Sequence, residues 1–122
     1  MLKISKPTRS GFETIIATEH FKCAFITQSE NYAFGCVREM KRHNRTDELF
    51  VLLSGNATLL IQEGEYIKEH PMVQGEVYNV TAGTWHYLAV SHDARLFVTE
   101  SSDTNSTNTD TLILPNPYCL NL

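Results

Sequence analysis

The chain has 122 residues, 42% of them apolar and 20% charged, which is the length of one domain with enough apolar residues for a packed core, so wholesale disorder is excluded. Ten Lys and Arg against 14 Asp and Glu leave a net charge of −4, the wrong balance for a nucleic-acid protein or a polybasic membrane-surface module. No apolar run approaches the roughly 20 residues of a membrane helix. The opening MLKISKPTRSGFE has no apolar stretch behind its basic residues, so no export signal is expected. The expectation is a cytoplasmic protein with reduced thiols. Cys23, Cys36 and Cys119 form no C-x-x-C pair, and Cys23 and Cys36 lie in apolar strand patterns as inert core thiols.

Helical spacing of apolar residues never persists for three turns, whereas short β-rich runs recur between polar or Gly punctuation. Residues 15–17 are the first run. Residues 20–27 (HFKCAFIT) alternate Phe21, Cys23 and Phe25 against Lys22, Ala24 and Ile26. Residues 32–40 follow, then 48–53 (ELFVLL) and 57–62 (ATLLIQ), which flank Ser54-Gly55-Asn56 and read as a hairpin. Glu63-Gly64-Glu65 turns the chain into residues 66–68. Residues 77–80 and 86–90 flank a Gly-containing turn, and 95–100 (RLFVTE) close the series. About nine short strands at this spacing predict an all-β antiparallel sandwich or barrel. ELFVLL and ATLLIQ are apolar on both pleat faces. One face therefore fills an interior, and the other meets a second sheet, a terminal segment or another subunit. Residues 101–110 (SSDTNSTNTD) read as a solvated polar loop, and the apolar tail 111–122 is expected to dock on its own sheet or a partner subunit.

Two segments carry candidate chemistry. The first runs from Lys41 through His43 and Glu48 to Gly55; the second runs from Gly75 through Gly83 to His86. His43 and Glu48 are five apart, which on one straight strand places them on opposite faces. The turn-tolerant residues 44–47 allow a bend that brings them to one side. Glu48 then leads Phe50 and Leu52 on one pleat face, and His86 leads Leu88 and Val90, the pattern of a polar site in the mouth of an apolar barrel. Two imidazoles and a carboxylate suit a divalent Zn, Fe, Mn or Ni ion with open positions. Lys41, two residues from His43 on the same face, points inward with them. Tyr32, Trp85 and Tyr87 are candidates to line the pocket and stack on a ring or sugar.

These segments resemble the paired motifs of the cupin superfamily. His43, Glu48 and Gly55 match the first motif; Gly75, Gly83 and His86 match the second. Lys41 stands where the first motif has its leading His, Thr81 where the second has Pro, and Val90 where it has Asn. The resemblance covers about residues 33–100. It implies a single cupin domain over 1–122, a jelly-roll β-barrel (an antiparallel double-stranded β-helix), with N-terminal strands within 1–32. It implies a metal held by His43, Glu48 and His86, with Lys41, Tyr32, Trp85 and Tyr87 toward the substrate. The function it implies is a small-molecule metalloenzyme, an isomerase, epimerase or dioxygenase acting on a sugar or a small carbonyl or carboxylate compound. The loss of one ligand to Lys41 keeps a metal-free sugar- or small-ligand-binding module as the alternative, and a metal-free enzyme with His43 or His86 as general base as a third. A homodimer is expected, with Phe12, Ile15, Ile16 and the C-terminal tail as interface candidates.

Overall fold

Alternating apolar and polar residues produce strands throughout the computed structural model, which describes residues 1–120. The last two residues of the expected tail, 121 and 122, lie outside the described part. Ten strands follow in chain order: β1 (Phe12–Ala17), β2 (Phe21–Thr27), β3 (Cys36–His43), β4 (Glu48–Ser54), β5 (Ala57–Glu63), β6 (Tyr66–Pro71), β7 (Val77–Val80), β8 (His86–Val90), β9 (Arg95–Ser101) and β10 (Thr109–Cys119). They form two five-stranded sheets, ordered β1-β2-β9-β4-β7 and β10-β3-β8-β5-β6, with antiparallel pairing between all named neighbours. This is the all-β jelly-roll arrangement. No helix among the described residues is long and apolar enough to cross a membrane.

The core lies between the sheets and follows directly from strand parity. Phe50 and Leu52 of β4, Leu96 and Val98 of β9 and Ile26 of β2 face Leu59 of β5 and Leu88 and Val90 of β8. Cross-strand pairs such as Leu52↔Leu96 and Leu59↔Leu88 put apolar side chains directly opposite one another. Each fully buried side chain of this kind contributes about 1.5–3 kcal/mol of transfer free energy.

Three expectations change here. ELFVLL and ATLLIQ are not a hairpin: β4 and β5 belong to different sheets, and residues 54–56 carry the chain across the barrel. Gly55 makes that crossing possible. Its φ is +72°, and any Cβ there would come within 2.6 Å of the Ala94 backbone, so the crossing needs a residue without a side chain. The hairpin in this region is β5–β6, closed at Glu63↔Tyr66.

The polar segment 101–110 is also less solvated than its composition suggests. β9 runs into it, β10 begins within it, and Thr104 and Asn108 are buried. Asn108 donates to the Asp103 carbonyl and its own side-chain oxygen receives the Asn105 N–H, so internal hydrogen bonds stand in for water.

The third change concerns Cys36, on the strand that the tail joins as expected. The tail docks on its own sheet as β10, beside β3, and covers a second apolar cluster of Val37, Met40, Leu60, Tyr87 and Ala89. That explains why ATLLIQ is apolar on both faces: Leu59 enters the main core while Leu60 lies beneath the C-terminal segment. Cys36 is not an inert core thiol. It is exposed at the start of β3 and disulfide-bonded to Cys119, 83 residues away in the chain. Cys23 is free.

Candidate metal centre and cavity

His43 ends β3 in one sheet and Glu48 opens β4 in the other, so residues 44–47 supply the bend that places both side chains inside. The turn before His86 is stitched to that bend. The Gly83 N–H donates to the His43 carbonyl at 2.7 Å, and the Ala82 N–H donates to Asp47 Oδ1 at 2.9 Å. Two chain reversals far apart in sequence thus hold a common geometry, and His86 enters at the start of β8, register partner of Lys41 on β3.

The result is a tight cluster. His86 Nε2 lies 3.0 Å and His43 Nε2 3.2 Å from the same oxygen, Glu48 Oε1. The three groups can present ligand atoms all within 4.8 Å of one another. Glu48 and His86 are buried, at 4% and 5% exposure, so these polar heads must be satisfied internally.

The other ring nitrogens are already engaged. His86 Nδ1 faces the Thr84 carbonyl oxygen at 2.9 Å. A carbonyl can only accept, so Nδ1 carries the proton and donates it. In a neutral ring Nε2 is then a lone pair facing a carboxylate oxygen, an arrangement that requires a cation between them, either a proton or a metal ion. His43 Nδ1 meets Thr109 Oγ1 at 2.8 Å, and when that hydroxyl accepts, the His43 Nε2 acts in the same way. Two donors on one first-row ion with bonds of about 2.0–2.1 Å stand about 2.9–3.3 Å apart, and the two carboxylate–imidazole separations here fall in that range. The residues present therefore fit a divalent metal, with the Thr84 carbonyl holding His86 in its ligating tautomer and the Thr109 hydroxyl orienting His43.

The cluster opens into a cavity of about 310 Å³. Lys41, Tyr32 and Tyr87 line it, the two tyrosines stacked at 5.5 Å with their planes 6° apart. Phe12, expected at an interface, lines the cavity as well. Trp85 does not: its ring lies under the Arg42 guanidinium at 4.4 Å. Burial, reinforced by the charges of Glu48, Glu39 and Glu100, pushes the Tyr32 phenol up to about 12. Burial and its aromatic and acidic neighbours also push Tyr87 up. Both therefore stay protonated at neutral pH, and the Tyr87 hydroxyl donates to Glu39 at 3.3 Å. Among the described residues Lys41 Nζ donates only to Thr111 Oγ1, at 3.2 Å, and makes no ion pair with a carboxylate.

Several cavity residues went unread in the sequence: Lys22, Glu100, Thr104, Asn105 and Thr109. The sheet register delivers the first two. Lys22 pairs with Glu100, and Glu100 with Glu48, across β2, β9 and β4. The Lys22 ammonium stands 3.6 Å from Glu100 Oε1. Burial together with the hydrogen bond and charge of Glu48 pushes the Glu100 carboxyl up to about 7, against the pull of Lys22 and His43. For Glu48, burial acts upward but is outweighed by hydrogen bonds from His43, His86 and Glu100, which hold it down to about 2. The two acids thus behave as one carboxyl–carboxylate pair with the proton on Glu100.

No protein-family profile matches the sequence, and no curated protein matches it. Solved structures do resemble it. The nucleoside dehydratase Pac13 of Streptomyces, solved with uridine, is 10% identical, with 93% of each chain covered and a TM-score of 0.67. A cupin of the RmlC-like kind from Methanocaldococcus jannaschii, with a double-stranded β-helix fold, is 15% identical over 83% of this chain and 90% of its own, with a TM-score of 0.59. Oxalate decarboxylase of Bacillus subtilis, which has Mn(II) centres, is 18% identical over 88% of this chain and 29% of its own, with a TM-score of 0.59. Identities this low speak for architecture alone, and the architecture agrees across the three: the fold of this chain is the cupin double-stranded β-helix.

Proposed function

We propose that this chain is a small-molecule enzyme in which His43, Glu48 and His86 hold a divalent metal and the cavity beside them takes a small anionic carbonyl, carboxylate or sugar-derived compound. The observation that carries this reading is the convergence of three donors whose remaining ring nitrogens are already hydrogen-bonded. A bound ion supplies Lewis acidity toward a substrate oxygen. The chain's own residues do the rest. The Lys41 ammonium, without an acidic partner among the described residues, attracts and orients the anionic group. The Tyr32–Tyr87 wall keeps water away and Tyr32 offers a phenolic donor, the Tyr87 hydroxyl being given to Glu39. Thr84 and Thr109 hold the imidazoles in place. The cavity volume lies at the small end for ligand sites, which favours a compact substrate. Among the neighbours in fold, the Pac13 dehydratase and the manganese-containing decarboxylase are both enzymes named for small-molecule reactions.

The test is elemental analysis of protein produced with Zn, Fe, Mn and Ni supplied. Close to one ion per chain is expected, with a chelator lowering Tm and stoichiometric metal restoring it. Content far below one per chain, with melting indifferent to chelator, overturns the metal reading. One feature favours a metal-free alternative in that case: Glu48 already bonds both imidazoles directly, as a carboxylate orienting a histidine base does. Ligand-induced stabilisation that survives chelator supports that version. Under the metal reading, Thr109→Val removes the His43 Nδ1 partner, and metal affinity measured by competition with a chromophoric chelator is expected to fall about tenfold.

A further inference from the structure

We propose that the Cys36–Cys119 disulfide is a thiol-exchangeable clasp that fastens the distal half of β10 behind the cavity wall, so that the redox state of this pair sets how firmly Tyr87 is backed. The inference does not depend on the metal reading, since it rests on the way β10 is attached.

β10 pairs with β3 in two unequal pieces. Residues from Thr109 to Ile113 form a continuous ladder with His43 to Glu39; pairing then lapses and resumes only at Tyr118↔Val37 and Cys119↔Cys36. The gap contains Pro115 and Pro117, neither of which has an N–H to give to a ladder. The proximal piece is also tied down by side chains: Thr109 to His43, Asp110 to Arg42 and Thr111 to Lys41. The distal piece has far less. Beyond two register pairs it keeps the Leu120 N–H to the Gly35 carbonyl at 2.9 Å, the Tyr118 hydroxyl to Glu69 at 2.7 Å, and the disulfide.

What the distal piece covers matters to the cavity. Leu120 is buried in the cluster of Met40, Leu60, Tyr87 and Ala89, with Leu114, Tyr118 and Trp85 packed on it. Tyr87 reaches the cavity from that cluster and stacks on Tyr32. Both cysteines are exposed, so a thiolate can reach the bond. The exchange is a two-electron reduction by a dithiol. One reductant sulfur attacks Cys36 or Cys119 and forms a mixed disulfide while the other cysteine leaves as thiolate. The second reductant sulfur then displaces the remaining cysteine, yielding two protein thiols and an oxidised dithiol. With the clasp open, the proximal ladder persists, and the segment 114–120 opens as a local unit of low stability.

The experiment uses the full chain equilibrated with either oxidised or reduced dithiothreitol. After denaturation, alkylation of the oxidised sample is expected to label one cysteine, Cys23, and of the reduced sample all three. The chain has a single tryptophan, and Trp85 sits on the covered cluster, so its emission is expected to shift to the red on reduction while far-UV circular dichroism stays unchanged. Chymotryptic cleavage after Tyr118 should accelerate by about tenfold or more, as expected for a newly opened segment. A Cys36→Ser/Cys119→Ser variant should match the reduced protein and ignore the reductant. Three labelled cysteines in the oxidised sample overturn the proposal. So do Trp85 emission and cleavage that are identical in the two states, or global unfolding on reduction, which would make the bond a staple of the whole fold.

Discussion

Glu48→Gln is expected to abolish stoichiometric metal, with affinity lowered by at least about 100-fold, a larger loss than removal of an outer partner causes. The argument rests on charge and on the donors facing this side chain. Glu48 Oε1 lies 3.0 and 3.2 Å from two imidazole nitrogens, and the carboxylate is the cluster's only anionic ligand. Gln has the same shape but no charge, so its amide competes poorly for a cation between two neutral imidazoles. Because the shape is kept, the apo fold should survive. With its NH2 where Oε1 stands, the amide can donate one hydrogen to each Nε2 lone pair, so the variant's Tm in chelator should lie near that of the parent. Isothermal titration with Zn(II) and paired melts with and without chelator check both halves. A variant that binds metal as tightly as the parent removes Glu48 from the ligand set, and the proposed centre with it.

Much of this site was legible because its three heads sit at strand ends beside turns. His43, Glu48 and His86 are marked by spacing and by the apolar rows behind them, and the structure brings all three together with Lys41, Tyr32 and Tyr87. Trp85 was misplaced, and alternation could not have decided it, since Tyr87 also adjoins the inward His86 and still reaches the cavity, whereas the Trp85 ring lies under Arg42. The same alternation held an unused signal. Lys22 shares parity with buried Ala24 and Ile26, and Glu100 with buried Leu96 and Val98, so each is a charged residue pointing into the barrel at a strand end. Their meeting with Glu48 depends on strand order β2-β9-β4, a long-range pairing that no local pattern encodes. Thr109 and Cys119 were hidden for a related reason. The segment carrying them reads as a loop and a bare tail until it finds the edge of β3, and the Cys36–Cys119 bond spans 83 residues. The apparent hairpin at Gly55 failed because a tight Gly turn can also carry a chain between sheets, and only close approach to Ala94 distinguishes the two.

The carboxyl pair leads to a second result: in the presence of chelator the parent should be most stable near pH 4.5 and lose stability as the pH rises to neutrality, whereas Glu100→Gln should not. The signs of the two shifts are opposite. Glu48 is held down to about 2 from an ordinary value of 4.5, first against burial and by hydrogen bonds from both histidines and Glu100. Its contribution is complete above pH 4.5 and is lost as the pH falls toward 2. Glu100 is pushed up to about 7 by burial and by Glu48, so the folded state holds a proton that the unfolded state has released above pH 4.5. Stability therefore declines between pH 4.5 and 7, and the maximum from the pair lies where the two slopes meet. The partly hydrated cavity weakens the penalty, which is on the order of 2 kcal/mol at pH 8, or roughly 8 °C in Tm for a chain of this size. Gln keeps the hydrogen bond to Glu48 that protonated Glu100 provides and cannot ionise. The variant should therefore match the parent at pH 4.5 and exceed it at pH 8 by about that amount. Thermal melts of both proteins across this range decide the matter. Parallel curves would mean that Glu100 is already ionised beside Glu48, held by Lys22 alone, and that the two acids share no proton.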